Sequence, residues 1–431
     1  MNTKMKSTIT AGILTLGMFL NNKPIATAQE LAPLPPLPQG RFEKKIIIDK
    51  SEKDFKDLKS KQVSVEVNAG KNGEVSIDNT SRELQIKTWN EPKVKVVTTI
   101  YYEGDAGSLS DADWFEKLNL TVKSLGSSVR IKSGTVSGGG SYESMGNSYN
   151  WSSGPANGVA IFNGNGETVG TKGNSTRLVT VYLPKENKLV VESKYADVTI
   201  PDNLNKLTID ITNGNLEAQD VNSLTLRSKY ANVNTGNLQS AEIEFINGHL
   251  SIKDADDIDL DTKYSTVDVA TANKINMIST NDDYDIEEVS NLQGQKNYGN
   301  LRIAKLDKSL EMDGTNADVK VRNIAAGAEV IRIDNKYSDI RLPLKNLKNY
   351  TINYSGPYST IYGNFDKQPY SGKAFKSASA EEALEEKIKN KITESINGEK
   401  VVSDDKFTAV VGSGKGTSID MRCQNCTVDF K

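Results

Sequence analysis

The chain is 431 residues long, 36% hydrophobic and 25% charged, with a formal net charge of −3. Charge so nearly balanced offers no field for nucleic acid or an anionic membrane surface, so neither is expected as a partner. With two cysteines and one histidine, His249, a cysteine-histidine zinc cluster and histidine-based general-base chemistry have almost nothing to draw on.

Lys4 and Lys6, an apolar run from Ile9 to Leu20 and then Ala26-Thr27-Ala28 read as a secretory signal over residues 1–28, with a mature chain starting near Gln29. No cysteine follows that site, which argues against lipoprotein attachment, and no later apolar run approaches the roughly 20 residues that span a bilayer. An exported protein of the bacterial periplasm, cell surface or medium is expected, without a membrane span. Residues 29–40 contain Pro33-Leu34-Pro35-Pro36-Leu37-Pro38, a stiff and extended spacer.

Residues 41–184 show strand alternation, as in Val63-Ser64-Val65-Glu66-Val67, Leu84-Gln85-Ile86 and Val94-Lys95-Val96. They are expected to form irregular N-terminal β coils and a cap, because an uncovered sheet end offers free strand edges to other chains. Asp111 to Leu118 reads as a helical turn or two. Within this region residues 133–176 are rich in Gly, Ser and Asn and too poor in apolar residues to build core, so they read as a long, mobile insertion. Its aromatics Tyr142, Tyr149 and Trp151, with Asn150 and Phe162 nearby, are the candidate ligand-binding residues. Rings in a polar loop form a platform for sugars, or pack back onto the fold.

Residues 185–376 carry a ladder: Tyr195, Asn213, Tyr230, Asn247, Tyr264, Asn281, Tyr298, Asn316 and Tyr337, at steps of 18, 17, 17, 17, 17, 17, 18 and 21. Three places after each rung stand Val198, Leu216, Val233, Leu250, Val267, Tyr284, Leu301, Val319 and Ile340, and five places after it the residues are mostly apolar again. Period two puts these offsets on one inward face. A second apolar patch recurs eleven to thirteen places after most rungs, as in Leu224 with Leu226 and Ile275 with Met277. Strands this short cannot bury a face alone, so successive units must stack. The predicted fold is all-β: a single-stranded β-solenoid, or β-helix, of about 17-residue coils in two-coil Tyr/Asn repeats. About ten coils spaced by about 4.8 Å would run for roughly 50 Å. A tyrosine on every coil would force its rings face to face, whereas alternation leaves about 10 Å between them. Asn tolerates the left-handed backbone of a tight corner, and the glycine after it in Asn213-Gly214 and Asn247-Gly248 is expected to help.

Residues 377–400 change character. Leu384, Ile388, Ile392 and Ile396 recur every four places among strong helix formers, and Asn397-Gly398 stops the pattern, which predicts a short inserted helix that covers an edge or docks a partner. Residues 401–431 return to strand signals and are expected to be C-terminal coils. Cys423 and Cys426 stand there as a disulfide or two free thiols in a final turn; a redox motif or half a metal site is the other reading, and it lacks a second pair.

Exported β-solenoids include enzymes that cleave polysaccharides with clustered carboxylates, so the acids matter. Asp254, Asp256, Asp257, Asp259 and Asp261 form one cluster, and Asp268 and Asp285 share an outward column with Arg302, Lys320 and Arg341. A calcium site or an acid/base pair is conceivable there, but polar outward positions with an Asp285–Arg302 surface ion pair account for the same residues. No catalytic, cofactor or metal residue is assigned.

Gly73-Glu74-Val75-Ser76-Ile77 followed by Leu84-Gln85-Ile86-Lys87-Thr88-Trp89 and Val94-Lys95-Val96, the Lys-Tyr-Ala/Ser and Asn-Gly corners, and the ending from Gly414-Lys415-Gly416 through Val428 carry a resemblance. On them the chain resembles the bacterial putative-adhesin family of exported β-strand-repeat proteins, over about residues 60–430. The resemblance implies a β scaffold and no active site. The expected function is therefore non-catalytic: adhesion, surface interaction or envelope scaffolding, with a surface glycan or an envelope protein as partner and no cofactor. A polysaccharide-active enzyme and a periplasmic accessory or sensor protein are the alternatives.

Overall fold

In this computed structural model the described residues are 58–105, 109–134, 139–144, 147–152, 159–172, 177–372, 403 and 405–431. The expected signal, the proline-rich spacer and the inserted helix lie outside them. Among the described residues the chain is nearly all β, with one short helix, and all strands but one hairpin belong to a single sheet.

The ladder step sets the register of that sheet. Strand β12 (Lys188–Lys194) runs parallel to β14 (Leu204–Thr212), placing Leu189 beside Leu207 and Val191 beside Ile209. β14 in turn pairs with the start of β16 (Val221–Lys263), with Ile209 beside Leu226, and the end of β16 pairs with β17 (Thr266–Ile324), with Ile258 beside Ile275 and Leu260 beside Met277. Each unit thus lies on the next displaced by one ladder step, and like residues form columns. The residues three places after every rung are all buried, as are those five places after, from Ile200 to Leu342. Burial of both columns follows from the period-two pattern, since an apolar strand face is closed only by the units above and below.

Every rung of the ladder adopts the left-handed backbone, with φ between 53° and 62° from Tyr195 to Tyr337. Asn reaches this region with little strain; Tyr does so at a cost. Gly214 and Gly248 have a different task from the one expected of them. They are not left-handed themselves, but a Cβ on Gly248 would lie 1.9 Å from the Ala231 carbonyl oxygen, and one on Gly214 would lie 2.1 Å from that of Ala196. Close approach of the previous unit, and not backbone sign, requires glycine there.

The C-terminal strands are out of chain order. β18 (Val330–Lys336) pairs in parallel with β24 (Thr417–Gln424), and β24 pairs in parallel with β20 (Tyr350–Ser355). The last segment of the chain therefore lies between two earlier ones. A second set follows suit: β19 (Asp339–Arg341), β25 (Thr427–Asp429) and β21 (Thr360–Tyr362). The result carries the ladder further, because Asn425 and Tyr358 are also left-handed, at φ 55° and 59°. Tyr337 donates its backbone N–H to Gln424 and Asn425 donates its own to Pro357, so the rungs read Tyr337, Asn425, Tyr358 in space. β23 (Lys406–Val411) closes this end by pairing antiparallel with β20.

At the other end β2 (Glu74–Thr80) pairs with β12, and β6 (Ser128–Ser133) with β2. β3 (Leu84–Trp89) lies between β13 (Val198–Ile200) and β11 (Val179–Pro184), and β4 (Lys93–Tyr102) joins β11 antiparallel to β1 (Lys59–Asn68). Helix α1 (Asp111–Lys117) matches the expected turn or two; Ser110 and Asp113 form its capping box, and Trp114 and Phe115 bury its inner side. Buried Arg82 ends it by donating to the carbonyls of Leu118 and Gly134. The described residues of the Gly/Ser/Asn-rich stretch include two strand pairs. β7 (Gly139–Ser144) and β8 (Asn147–Ser152) form one hairpin, and β9 (Val159–Phe162) and β10 (Thr168–Lys172) another. Ile161 and Phe162 belong to the core, with the Phe162 ring edge-on to Trp114 at 5.4 Å.

Candidate functional site

Two neighbouring surfaces are built by the same repeat. The first is the tyrosine ladder. Tyr195, Tyr230, Tyr264, Tyr298, Tyr337 and Tyr358 are 51% to 80% exposed, although most large aromatic side chains in a folded protein are covered. The left-handed corner explains this. The residue following most rungs is small, and Ala196, Ala231 and Ser265 there are turned inward and buried, so the rung itself is pushed outward. The tyrosine rungs share the left-handed backbone, with φ between 55° and 62°.

The second surface is a concavity of about 1010 Å³ on the outward side of the strand that leads into the ladder. Asp259, Asp261, Asn276, Gln293, Glu311 and Asp313 line it, and its margin passes through Asn297, Thr315 and Lys336, each one residue before a rung. Acids dominate it, and cations collect at one end, where Arg422 makes a two-pronged ion pair with Asp334. Burial, reinforced by the charge of Asp334, pushes the Asp313 carboxyl above its ordinary range.

Of the acids singled out in the sequence, Asp254, Asp256, Asp257 and Asp259 are engaged by the next unit along the columns. Asp254 accepts from Thr271, Asp256 from Asn273 at 3.0 Å and Asp257 from Lys274 at 3.2 Å, each partner lying one unit on. His249 is half-buried, and its Nε2 lies 3.2 Å from Asp268. The expected Asp285–Arg302 ion pair does not form among the described residues. Asp283 is the acid under the influence of Arg302: the Asn300 side chain first, then its backbone N–H and Arg302, hold the Asp283 carboxyl below its ordinary range. Among the described residues no group of three or more His, Cys, Asp or Glu is placed to hold a metal.

Beneath the ladder lies a buried polar knot that the sequence pattern did not reveal. Asp282 occupies the inward position usually held by Ala, Gly or Ser. Its carboxylate accepts from Thr262 and Ser279 hydroxyls, each at 2.7 Å, and from the Ser265 backbone N–H at 2.7 Å. The Tyr284 hydroxyl meets Thr262 at 2.6 Å. Fully buried Lys296 donates to the carbonyls of Asp282 at 2.6 Å and Tyr298 at 3.2 Å, with its Nζ 5.2 Å from the centre of the Tyr284 ring. Burial drives the Lys296 ammonium down to about 8, against the opposing pull of Asp282 and Asp283. The only signal in sequence was a lysine two places before Tyr298, where Ser193, Ser228 and Thr262 stand in equivalent units.

Of the candidate ligand-binding residues, Tyr142 and Tyr149 are register partners in the backbone pairing of β7 with β8, and Trp151 is paired with Gly140. Cys423 and Cys426 form a disulfide across rung Asn425, which resolves the open reading of that pair. The rungs Tyr358 and Asn425 were missed because chain order does not place them in the ladder.

No known protein family and no curated protein matches the chain. Among solved structures it is similar to a putative adhesin from Parabacteroides merdae, at 13% identity and a TM-score of 0.36, covering 64% of this chain and 95% of that one. It is also similar to a putative lipid binding protein from Parabacteroides distasonis, at 10% identity and a TM-score of 0.30, covering 64% and 96%. A putative cell adhesion protein from Clostridium sporogenes matches at 8% identity and a TM-score of 0.16, covering 86% and 99%.

Proposed function

We propose that this chain is an exported, non-catalytic β-solenoid of about 17-residue coils in two-coil Tyr/Asn units, acting in adhesion, surface interaction or envelope scaffolding. The observation that carries the reading is the row of exposed tyrosines held in one backbone conformation on every second unit. Six aromatic rings left open to water are costly unless something covers them, and a repeated array suits binding spread over many weak contacts. The engagement of Asp254, Asp256 and Asp257 by the next unit favours a scaffold role for those acids over acid/base work.

Antibody labelling of intact against permeabilised producing cells, with a known periplasmic protein as control, tests it. Labelling of intact cells is expected. Labelling only after permeabilisation would remove adhesion and surface interaction and leave a periplasmic scaffold.

A further inference from the structure

Resting on the surface-interaction reading, we propose that the tyrosine ladder and the adjoining concavity bind a neutral β-1,4-linked glycan laid along the stacking direction, one disaccharide per two-unit repeat.

The spacing comes first. Neighbouring units are joined by direct backbone hydrogen bonds at the corners, such as Tyr195 N–H to Thr212 and Tyr264 N–H to Thr280. Adjacent hydrogen-bonded strands lie about 4.8 Å apart, so tyrosines on alternate units are about 10 Å apart. An extended β-1,4-linked chain turns over at each sugar and advances by about that distance per pair, presenting the same C–H face to every second position. A ring at each such position stacks on that face, while the intervening Asn leaves room for the sugar that turns away.

Preorganisation comes second. The six tyrosines share φ values of 55° to 62°, so the chain loses little freedom at the corners when a ligand stacks. The ladder also stays in phase through the out-of-order C-terminal strand, because Asn425 stands between Tyr337 and Tyr358. That placement keeps the period where chain order alone would break it.

Polarity and charge then select the class of glycan. In the concavity, on the strand that leads into the ladder, Asn276, Gln293 and Gln295 carry amides, and Asp259 and Asp261 carry carboxylates; these are donors and acceptors suited to hydroxyl groups. Glu242, Glu244, Glu311 and Asp313 make the concavity acidic, which repels uronate or sulfated polymers. Of the lysines that precede the rungs, Lys194 is paired with Glu192 and Lys263 lies near Asp261, which offsets their charge.

The test titrates the full chain by calorimetry with cello-oligosaccharides and chito-oligosaccharides of increasing length, and with an oligouronate. Affinity is expected to rise in steps of two sugars, in one or both neutral series, with no binding of the oligouronate. The combined substitution Tyr230→Asn, Tyr264→Asn and Tyr298→Asn removes three rings and keeps a residue that already occupies the same corner in alternate units. It should bind the longest oligomers about tenfold or more weakly with an unchanged circular dichroism spectrum. Binding that is unaffected in a folded triple variant, binding of the oligouronate in preference, or no binding of either neutral series overturns the proposal. Surface labelling of intact cells with no neutral-glycan binding would discard the glycan and leave the adhesion reading standing; absence of surface labelling would strike the broader reading instead.

Discussion

A left-handed tyrosine costs roughly 1–2 kcal/mol relative to an ordinary conformation, and the ladder contains six of them. Asn at the alternate rungs shows what the corner accepts without that strain. Tyr264→Asn relieves that strain and should raise stability by up to about 1 kcal/mol, less whatever the mostly exposed ring contributes, whereas Tyr264→Val, whose branched Cβ fits this region worst, should lose about 1–2 kcal/mol. Denaturant titration separates the two, and equal losses for both substitutions would show that the ring, and not the backbone sign, holds the corner.

Lys296 poses the opposite problem, a charge in the core. Its ammonium titrates at about 8 when folded and at 10.5 in the reference state. The folded protein therefore binds fewer protons than the unfolded chain between those values, and stability rises with pH across that window. The gain is about 3 kcal/mol for the fully buried group. The melting temperature should climb from pH 8 towards 10.5 more steeply in the wild type than in Lys296→Met. Parallel curves for the two proteins would mean that Lys296 keeps its charge in the folded state as fully as in the unfolded chain, held there by water or by its buried partners.

Among the elements, β24 decides how the sheet ends. Ile419 and Met421 are fully buried between Ile331 and Ile333 on one side and Ile352 and Tyr354 on the other. A strand arriving last in the chain thus completes a core begun some ninety residues earlier. The Cys423–Cys426 disulfide locks the corner at which β24 passes into β25, and Ser338 Oγ lies 3.7 Å and 3.6 Å from its two sulfurs. Replacing both cysteines by serine closes no loop in the unfolded chain and should cost about 2 kcal/mol, read as a lower denaturant midpoint that reductant no longer changes. An unaltered midpoint would show that the left-handed Asn425 holds the corner unaided.

For the whole described sheet, the two-unit period makes a distinctive prediction. Asn213 and Asn247 are 34 positions apart, so removing residues 213–246 brings Tyr195 next to Asn247 and keeps the alternation. That deletion should fold and lose stability roughly in proportion to the missing interfaces. Removing residues 213–229 alone would set Tyr195 beside Tyr230, with rings about 4.8 Å apart, and should lower the melting temperature more although it removes less chain. The reverse order of melting temperatures would make the alternation incidental to the fold.

Much of this architecture is legible along the chain because it is local and repeated. Period two marked the inward columns, and the rung spacing gave the register that Leu260 and Met277 adopt. Legibility failed where a residue depends on partners from a distant segment. Ile161 and Phe162 looked like part of a polar loop until β4 and Trp114 covered them. Asp282 and Lys296 broke the small-residue and polar columns, yet nothing nearby in sequence says that they break them together.

The sequence by itself determined the all-β character, the step between units and the identity of every rung from Tyr195 to Tyr337, since each follows from side-chain period and corner chemistry within a few residues. Tertiary structure decided the order of the last strands, the continuation of the ladder through Asn425 and Tyr358, and the concavity beside it. Parallel pairing is specified by backbone groups that every residue carries alike, so which distant strand fills a place in the sheet is settled only when the whole core is closed.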